Sequence, residues 1–217
     1  MMKYKIVFID EEKRQQEDFL DYMDKYEDKV DIYCLYPKNN LEEMIAEIDE
    51  CHPDAVISDF RLNEIRTDIH YNVPYDGSKL MEVYLCERPK FPCFVLTSYD
   101  DEAINESSDV NIVYLKNVLG ACEDGKITFA DRIFMQIDHY KISIEKAQNR
   151  LTELIEKRKA NTATAQEEQE LIDVDMFIEK SLGTASYVPS ELKQPSNMER
   201  LNKLIDKADE IISKLEK

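Results

Sequence analysis

The sequence has few glycines, no tryptophan and no long hydrophobic run. Its 217 residues include four glycines, at Gly77, Gly120, Gly125 and Gly183. A P-loop or a dinucleotide-binding fingerprint needs several glycines within one turn, so this spacing excludes both kinds of phosphate cradle. No segment approaches the roughly 20 apolar residues that a membrane-spanning helix requires. The apolar run at the N-terminus is too short for a signal peptide. We therefore expect a cytoplasmic protein that does not associate with membranes.

Basic residues are also scarce. Lys and Arg number 28 against 46 Asp and Glu, which gives a formal net charge of −18. Most of the imbalance lies in residues 1–126, which carry 14 basic and 29 acidic side chains. Because such a surface repels a phosphate backbone, we expect no nucleic-acid partner. The five cysteines and three histidines are irregularly spaced and form neither a zinc signature nor a disulfide framework.

The first 126 residues alternate short apolar segments with amphipathic ones. Strands that alternate with helices favour parallel pairing through right-handed crossovers. The predicted fold class is therefore α/β, a doubly wound, five-stranded parallel sheet of the flavodoxin-like type. The predicted strands are 5–9, 31–36, 55–58, 92–97 and 111–115. The predicted helices between them are 12–26, 41–51, 77–86 and 100–106.

From about Ile127 the apolar period changes. Seven apolar or small residues between Ile133 and Leu154 recur at alternating steps of four and three, which is a heptad seam. Two further helices are predicted, over 164–182 and after Ser196. We expect two domains, 1–126 and 127–217, the second an α-helical or coiled-coil extension for oligomerisation or partner binding. A homodimer through these helices is the favoured interpretation, and packing within one chain is the alternative.

Chemically reactive side chains follow four of the predicted strands. Asp10 and Glu11 close the first strand, and Asp59 closes the third. Thr97 closes the fourth strand and Lys116 the fifth. Because the carboxyl ends of parallel strands meet at one edge, we expect these groups to converge. Carboxylates suit Mg²⁺, a hydroxyl and an ammonium can hold phosphoryl oxygens, and a carboxylate can attack phosphorus. The residues alone predict a carboxylate phosphoacceptor beside a metal ion.

This ordered set resembles the receiver domains of response regulators, the CheY-like family, over about residues 3–126. The motifs that carry the resemblance are FIDEE (8–12), AVISDFRL (55–62), YDGSKLM (75–81), FVLTS (94–98) and VYLKN (113–117). The resemblance implies that Asp59 is phosphorylated. It also implies that Asp10, Glu11, Asp59 and the backbone carbonyl of Arg61 hold Mg²⁺.

The same resemblance assigns roles to the remaining residues and to the partners. Thr97 would hold a phosphoryl oxygen, and Lys116 would pair with the phosphoryl group or with Asp59. The donor would be a histidine kinase or a phosphotransfer protein, and the output a downstream protein effector or a phosphate relay. No enzyme activity is expected beyond self-catalysed phosphotransfer and autodephosphorylation. Arg61 and Tyr99 stand where the family tunes hydrolysis, and since both are bulky we expect a long-lived phosphoryl state.

Four features depart from the family's pattern. Glu11 stands where a second aspartate is usual, which affects the geometry of a metal site. An insertion, Asn63–Pro74, follows the acceptor, and Asn117 replaces the usual proline after the lysine. The position of the family's switch aromatic falls on Val113, and the neighbouring Tyr114 would point to the opposite face of its strand. These departures leave a tyrosine rotamer switch unsupported.

Two other functions stay open at this point. A metal-dependent phosphatase of the haloacid-dehalogenase kind also uses aspartate, threonine and lysine at strand ends. Its nucleophile lies on the first strand, however, and it needs a second aspartate where this chain has Glu12. A pseudo-receiver scaffold would act through its helices without taking up phosphate.

Overall fold

The sheet is five-stranded and entirely parallel, in a computed structural model that describes residues 3–62, 71–98, 109–120 and 126–182. The strand order is β2-β1-β3-β4-β5, the doubly wound order of flavodoxin-like domains. The predicted fold class is confirmed. The strands are β1 (Tyr4–Ile9), β2 (Val30–Leu35), β3 (Ala55–Asp59), β4 (Cys93–Thr97) and β5 (Val113–Leu115).

The middle strands are buried from end to end. All five residues of β3 and all five of β4 are buried, as expected of parallel strands that helices cover on both faces. In the strand register, Ser58 lies beside Ile9 and Asp59 beside Leu96. The last residues of β1, β3 and β4 therefore reach the same edge of the sheet.

Side-chain caps fix where two of the helices begin. The Asn40 side chain accepts a hydrogen bond from the Glu43 amide at 2.8 Å, so it is the N-cap that the sequence predicts. The Asp76 carboxylate accepts one from the Lys79 amide at 2.7 Å. The described helices are α1 (Lys13–Met23), α2 (Leu41–Glu50), α3 (Gly77–Glu87), α4 (Phe129–Lys159) and α5 (Ala165–Leu182).

Strand β5 is shorter than predicted. The prediction of a strand over 111–115 is wrong at its start, because Val110–Ile112 form a 3-10 turn. The Asp109 carboxylate accepts hydrogen bonds from the backbone amide and the side chain of Asn111, at 2.9 and 2.8 Å. Aspartate side chains compete with strand pairing for backbone amides in this way.

Helix α1 also ends earlier than predicted, because Asp24–Tyr26 continue as a 3-10 turn. The helix predicted over 100–106 lies outside the described residues. The same holds for the helix predicted after Ser196 and for the cap predicted at Gly183.

The chain divides into two compact units, residues 1–142 and 143–217. The first unit extends beyond the change of period near residue 126, because the first turns of α4 are part of its hydrophobic core. Ile133 and Ile137 of the heptad seam are both fully buried there. This half of the seam is therefore occupied by packing within the chain.

The described part of the second unit contains the C-terminal part of α4 and helix α5. Three cations of α4 pair with three carboxylates of α5: Arg150 with Glu170, Lys157 with Glu167, and Arg158 with Glu168. All six side chains are partly exposed. The buried apolar residues are Leu154, Leu171, Ile172 and Ile178. Among the described helices, none has a stretch long and apolar enough to cross a bilayer.

Candidate functional site

A cavity of about 190 Å³ opens at the carboxyl ends of the strands. Side chains from four separate parts of the chain line it. The structure therefore brings together the groups that the sequence predicted would converge. The lining residues are Asp10, Glu11, Glu12, Gln15, Asp59, Phe60, Arg61, Thr97, Ser98 and Lys116.

The backbone around Asp59 is held by the first residue of α3. The Gly77 amide donates a hydrogen bond to the Phe60 carbonyl at 2.8 Å. A Cβ atom at Gly77 would lie 2.0 Å from the Asp59 carbonyl oxygen, so no other residue fits without a shift of the backbone. The Ser58 hydroxyl donates to that same carbonyl at 2.8 Å. The Asp59 carboxylate is therefore attached to a stretch of main chain that these contacts hold in place.

Lys116 joins the two aspartates across the cavity. Its Nζ lies 2.8 Å from Asp59 Oδ1 and 3.3 Å from Asp10 Oδ2. The other oxygens are also bonded, because Asp10 Oδ1 accepts from the Glu12 amide at 2.9 Å and Asp59 Oδ2 accepts from the Arg61 amide at 3.1 Å. Both carboxylates are therefore oriented by main-chain donors on one side and by the ammonium on the other.

The electrostatics of the cavity oppose further negative charge. Burial, and then repulsion by Asp59, raise the pKa of Asp10 to about 7. Burial also raises the pKa of Asp59, although Lys116 counteracts the effect. For Lys116, burial acts against the charged form, but Asp59 and Asp10 outweigh it and raise the pKa. The ammonium stays charged, while the two aspartates repel each other in a medium of low polarity.

Three buried carboxylates make the cavity suited to a divalent cation. Asp10, Glu11 and Asp59 each offer one oxygen, and these oxygens lie within 4.8 Å of one another. Together with the Lys116 ammonium, these three carboxylates carry two negative charges in excess when fully ionised. Mg²⁺ binds oxygen ligands, and an excess of negative charge among them favours its binding. The donor set therefore fits the predicted metal, and the longer Glu11 side chain still reaches the cluster.

Thr97 and Arg61 line the cavity together with Asp59. Thr97 is the last residue of β4 and is 2% exposed. It lines the cavity together with Ser98. Arg61 contributes the amide that holds Asp59. Tyr99 and residues 63–70 lie outside the described residues.

The end of the insertion is tied to a neighbouring loop. The Tyr71 hydroxyl donates to the Pro37 carbonyl at 2.6 Å, and the Tyr75 hydroxyl donates to the Lys38 carbonyl at 2.8 Å. Burial raises the pKa of Tyr75 to about 12, so this hydroxyl keeps its proton and remains a donor. These two bonds hold the chain after β2 against the chain before α3.

Two of the departures noted in the sequence occupy ordinary positions. Val113 is half-buried, and Tyr114 packs inside the first unit, with its ring 5.9 Å from that of Phe94 and 5.1 Å from that of Phe129. Tyr114 is therefore a partly buried aromatic that packs against the core. Asn117, after the lysine, is exposed within a 3-10 turn, Lys116–Leu119.

Sequence reasoning missed two adjacent residues of α1. Lys116 Nζ donates to the Gln15 side-chain oxygen at 3.2 Å. The Gln16 side chain is buried and donates to the carbonyls of Asp10 and Leu35, at 2.9 and 3.2 Å. Neither glutamine belongs to a motif, and only in the folded chain does Gln15 line the cavity and Gln16 bond to the ends of β1 and β2.

No family model and no curated protein matches this chain. Among solved structures, it is similar to a response regulator receiver protein from Sinorhizobium medicae, with 14% identity, 63% of this chain and 93% of that chain covered, and a TM-score of 0.42. It is also similar to RcsB from Salmonella enterica serovar Typhimurium bound to a promoter, with 13% identity, coverage of 93% and 92%, and a TM-score of 0.42.

A third similar structure is a trimeric coiled-coil segment of yeast Spc42 fused to another structure. The identity is 17%, the coverage is 74% of this chain and 94% of that chain, and the TM-score is 0.46.

Proposed function

We propose that this chain is a response-regulator-like phosphoacceptor that takes a phosphoryl group on Asp59. The donor would be a phosphohistidine of a histidine kinase or of a phosphotransfer protein. One observation carries the proposal: the Asp59 carboxylate lies 2.8 Å from the Lys116 ammonium in a cavity that also holds a second and a third buried carboxylate. This is the arrangement that an attacking carboxylate needs to meet an anionic phosphoryl group.

Each residue has a defined part in the transfer. An Asp59 oxygen attacks phosphorus, the new O–P bond forms as the P–N bond to the donor imidazole breaks, and the imidazole takes up a proton. Lys116 neutralises charge on the phosphoryl oxygens as they enter. The Thr97 hydroxyl donates to one of those oxygens. Self-catalysed hydrolysis later returns the free carboxylate.

Asp10, Glu11 and Asp59, together with the Arg61 carbonyl, would hold Mg²⁺. A bound Mg²⁺ supplies charge neutralisation between the acceptor carboxylate and the incoming phosphoryl oxygens. In its absence, burial and then repulsion by Asp59 raise the pKa of Asp10 to about 7, and the negative charge of the two carboxylates acts against the approach of a phosphoryl group.

The output of the proposed switch is a contact with a protein effector, or relay of the phosphoryl group. The net charge of −18 supports a protein partner rather than a nucleic acid. Residues 127–217 would carry the response or join two copies in a homodimer. Action in the cytoplasm is part of the same proposal, as is a long-lived phosphoryl state next to the bulky Arg61.

The test is phosphorylation of the full chain by a small donor. With acetyl phosphate and Mg²⁺, we expect the intact mass to rise by one phosphoryl group in the wild type and in Asp18→Asn, a control at an exposed aspartate. Asp59→Asn should show no rise. Removal of Mg²⁺ with a chelator should abolish the rise in the wild type.

The same experiment separates the other functions. Labelling that persists in Asp59→Asn but is lost in Asp10→Asn would assign the nucleophile to the first strand and favour a phosphatase. A wild type whose mass never changes, with acetyl phosphate or with phosphoramidate, would overturn the phosphoacceptor proposal and favour a scaffold.

A further inference from the structure

The Lys116 ammonium has three protons, and the structure gives each of them an acceptor. Two acceptors are the carboxylates of Asp59 and Asp10, at 2.8 and 3.3 Å. The third is the side-chain oxygen of Gln15, at 3.2 Å. Gln15 comes from the first turn of α1, 101 positions away from Lys116 in the chain. It is the uncharged member of the three.

The first turn of α1 is itself anchored to the sheet. The buried Gln16 side chain donates to the Asp10 carbonyl at the end of β1 and to the Leu35 carbonyl at the end of β2. The amides of both glutamines donate to the Glu12 carbonyl, at 3.1 and 3.2 Å. The Gln15 oxygen is therefore presented to the cavity from a fixed turn.

We infer that Gln15 is a positioning residue that holds Lys116 over the acceptor during phosphoryl transfer. The inference rests on the proposed function. A lysine ammonium sits on a flexible four-carbon stem, so its place must be fixed by its partners. Phosphorylation converts the Asp59 carboxylate into an acyl phosphate, and a cation would compete with Lys116 for Asp10. Gln15 is the partner that neither event alters.

The neutrality of the amide also matters. The three buried carboxylates and Lys116 already carry two negative charges in excess when ionised, and another carboxylate at position 15 would oppose the entry of an anionic phosphoryl group. An amide oxygen accepts a hydrogen bond from Lys116 without adding charge. Glutamine therefore anchors the lysine and leaves the ammonium's charge for the phosphoryl oxygens.

The test compares Gln15→Met, which keeps the length but removes the acceptor, with Gln15→Glu, which keeps the acceptor. We expect Gln15→Met to slow phosphorylation by acetyl phosphate about tenfold, as loss of one hydrogen bond to a charged group predicts. The nitrogen chemical shift of Lys116 Nζ should change in Gln15→Met and return toward the wild-type value in Gln15→Glu. The matched control is Arg14→Met, at an exposed residue of the same turn, which should leave rate and shift unchanged.

Thermal unfolding reports whether each variant is folded. If Gln15→Met does not fold, Gln15→Asn replaces it, because its side chain is one methylene too short to reach Lys116. A wild-type rate together with an unchanged Lys116 shift in the folded variant would overturn the inference. Failure of the proposed function is distinct, because it would leave the wild type unlabelled, whereas the Lys116 shift needs no phosphoryl donor and still tests the contact.

Discussion

The two units use charged residues in opposite ways. In the first unit, like charges are gathered in a buried cavity, where Asp10 is 1% and Asp59 is 7% exposed. In the second unit, opposite charges of α4 and α5 pair one to one near the surface, and the side chains of Arg150 and Glu170 are 35% and 40% exposed. The first arrangement opposes folding and the second slightly favours it. Buried repulsion of this kind indicates a site that is kept for chemistry.

The largest effect is expected at Gly77, which packs against the backbone of Asp59 at the end of β3. We expect Gly77→Ala to lower the free energy of unfolding by roughly 3 kcal/mol, because its Cβ would overlap a main-chain oxygen and the backbone must shift. Urea denaturation of the full chain measures the effect. The control is Gly120→Ala, whose Cβ would lie 3.1 Å from the Asn117 carbonyl oxygen.

The Gly120→Ala variant should lose clearly less than Gly77→Ala. An equal loss in both variants would mean that the close approach of Gly77 to the Asp59 carbonyl oxygen has no special effect on stability. Gly77→Ala should also slow labelling of Asp59, since the carboxylate moves with its backbone.

The next largest effect concerns the repulsion in the cavity. We expect Asp10→Asn to raise the free energy of unfolding by about 2 kcal/mol at pH 8 in a chelator, because it removes a buried charge that Asp59 also repels. The folded-state pKa of Asp10 is raised to about 7 from its ordinary value of 3.8. The wild type therefore loses stability as pH rises from about 4 through 7, and it regains that stability below this window.

Urea denaturation at pH 5 and pH 8 measures this difference. The gain from Asp10→Asn should be much smaller at pH 5, and Mg²⁺ should reduce it at pH 8. The control Asp18→Asn removes an exposed acid and should show no such dependence. A gain that is the same at both pH values would contradict the electrostatic explanation.

The smallest effect is expected in the second unit. Arg150→Gln, Glu170→Gln and the double variant form a double-mutant cycle on the fork in which Arg150 donates to both Glu170 oxygens at 2.8 and 2.7 Å. We expect a small favourable coupling at low salt that disappears at about 1 M salt, because exposed pairs are screened. Coupling that persists at high salt would show that this pair behaves as a buried one.

Most of the fold was predictable because apolar runs and helix caps are local signals. Asn40 is an example of a predicted cap. The buried strands are examples of predicted apolar runs, and the ends of these runs locate the ends of β1, β3 and β4. The start of β5 was not predictable from its apolar residues, since the Asp109 carboxylate competes for the amides there. The role of Gln15 was also not predictable, because this neutral side chain contacts Lys116 only in the folded chain, across 101 positions of sequence.

The short strand β5 has a consequence for association between copies of this chain. A sheet edge is a template for strand addition only where it offers a run of unpaired backbone groups. Strand β5 ends the sheet with three residues. At the opposite end, β2 carries the exposed Asp31, and a charge of this kind discourages a docking strand. A continuous intermolecular sheet, the starting point of fibrillar aggregation, is thus disfavoured at both ends.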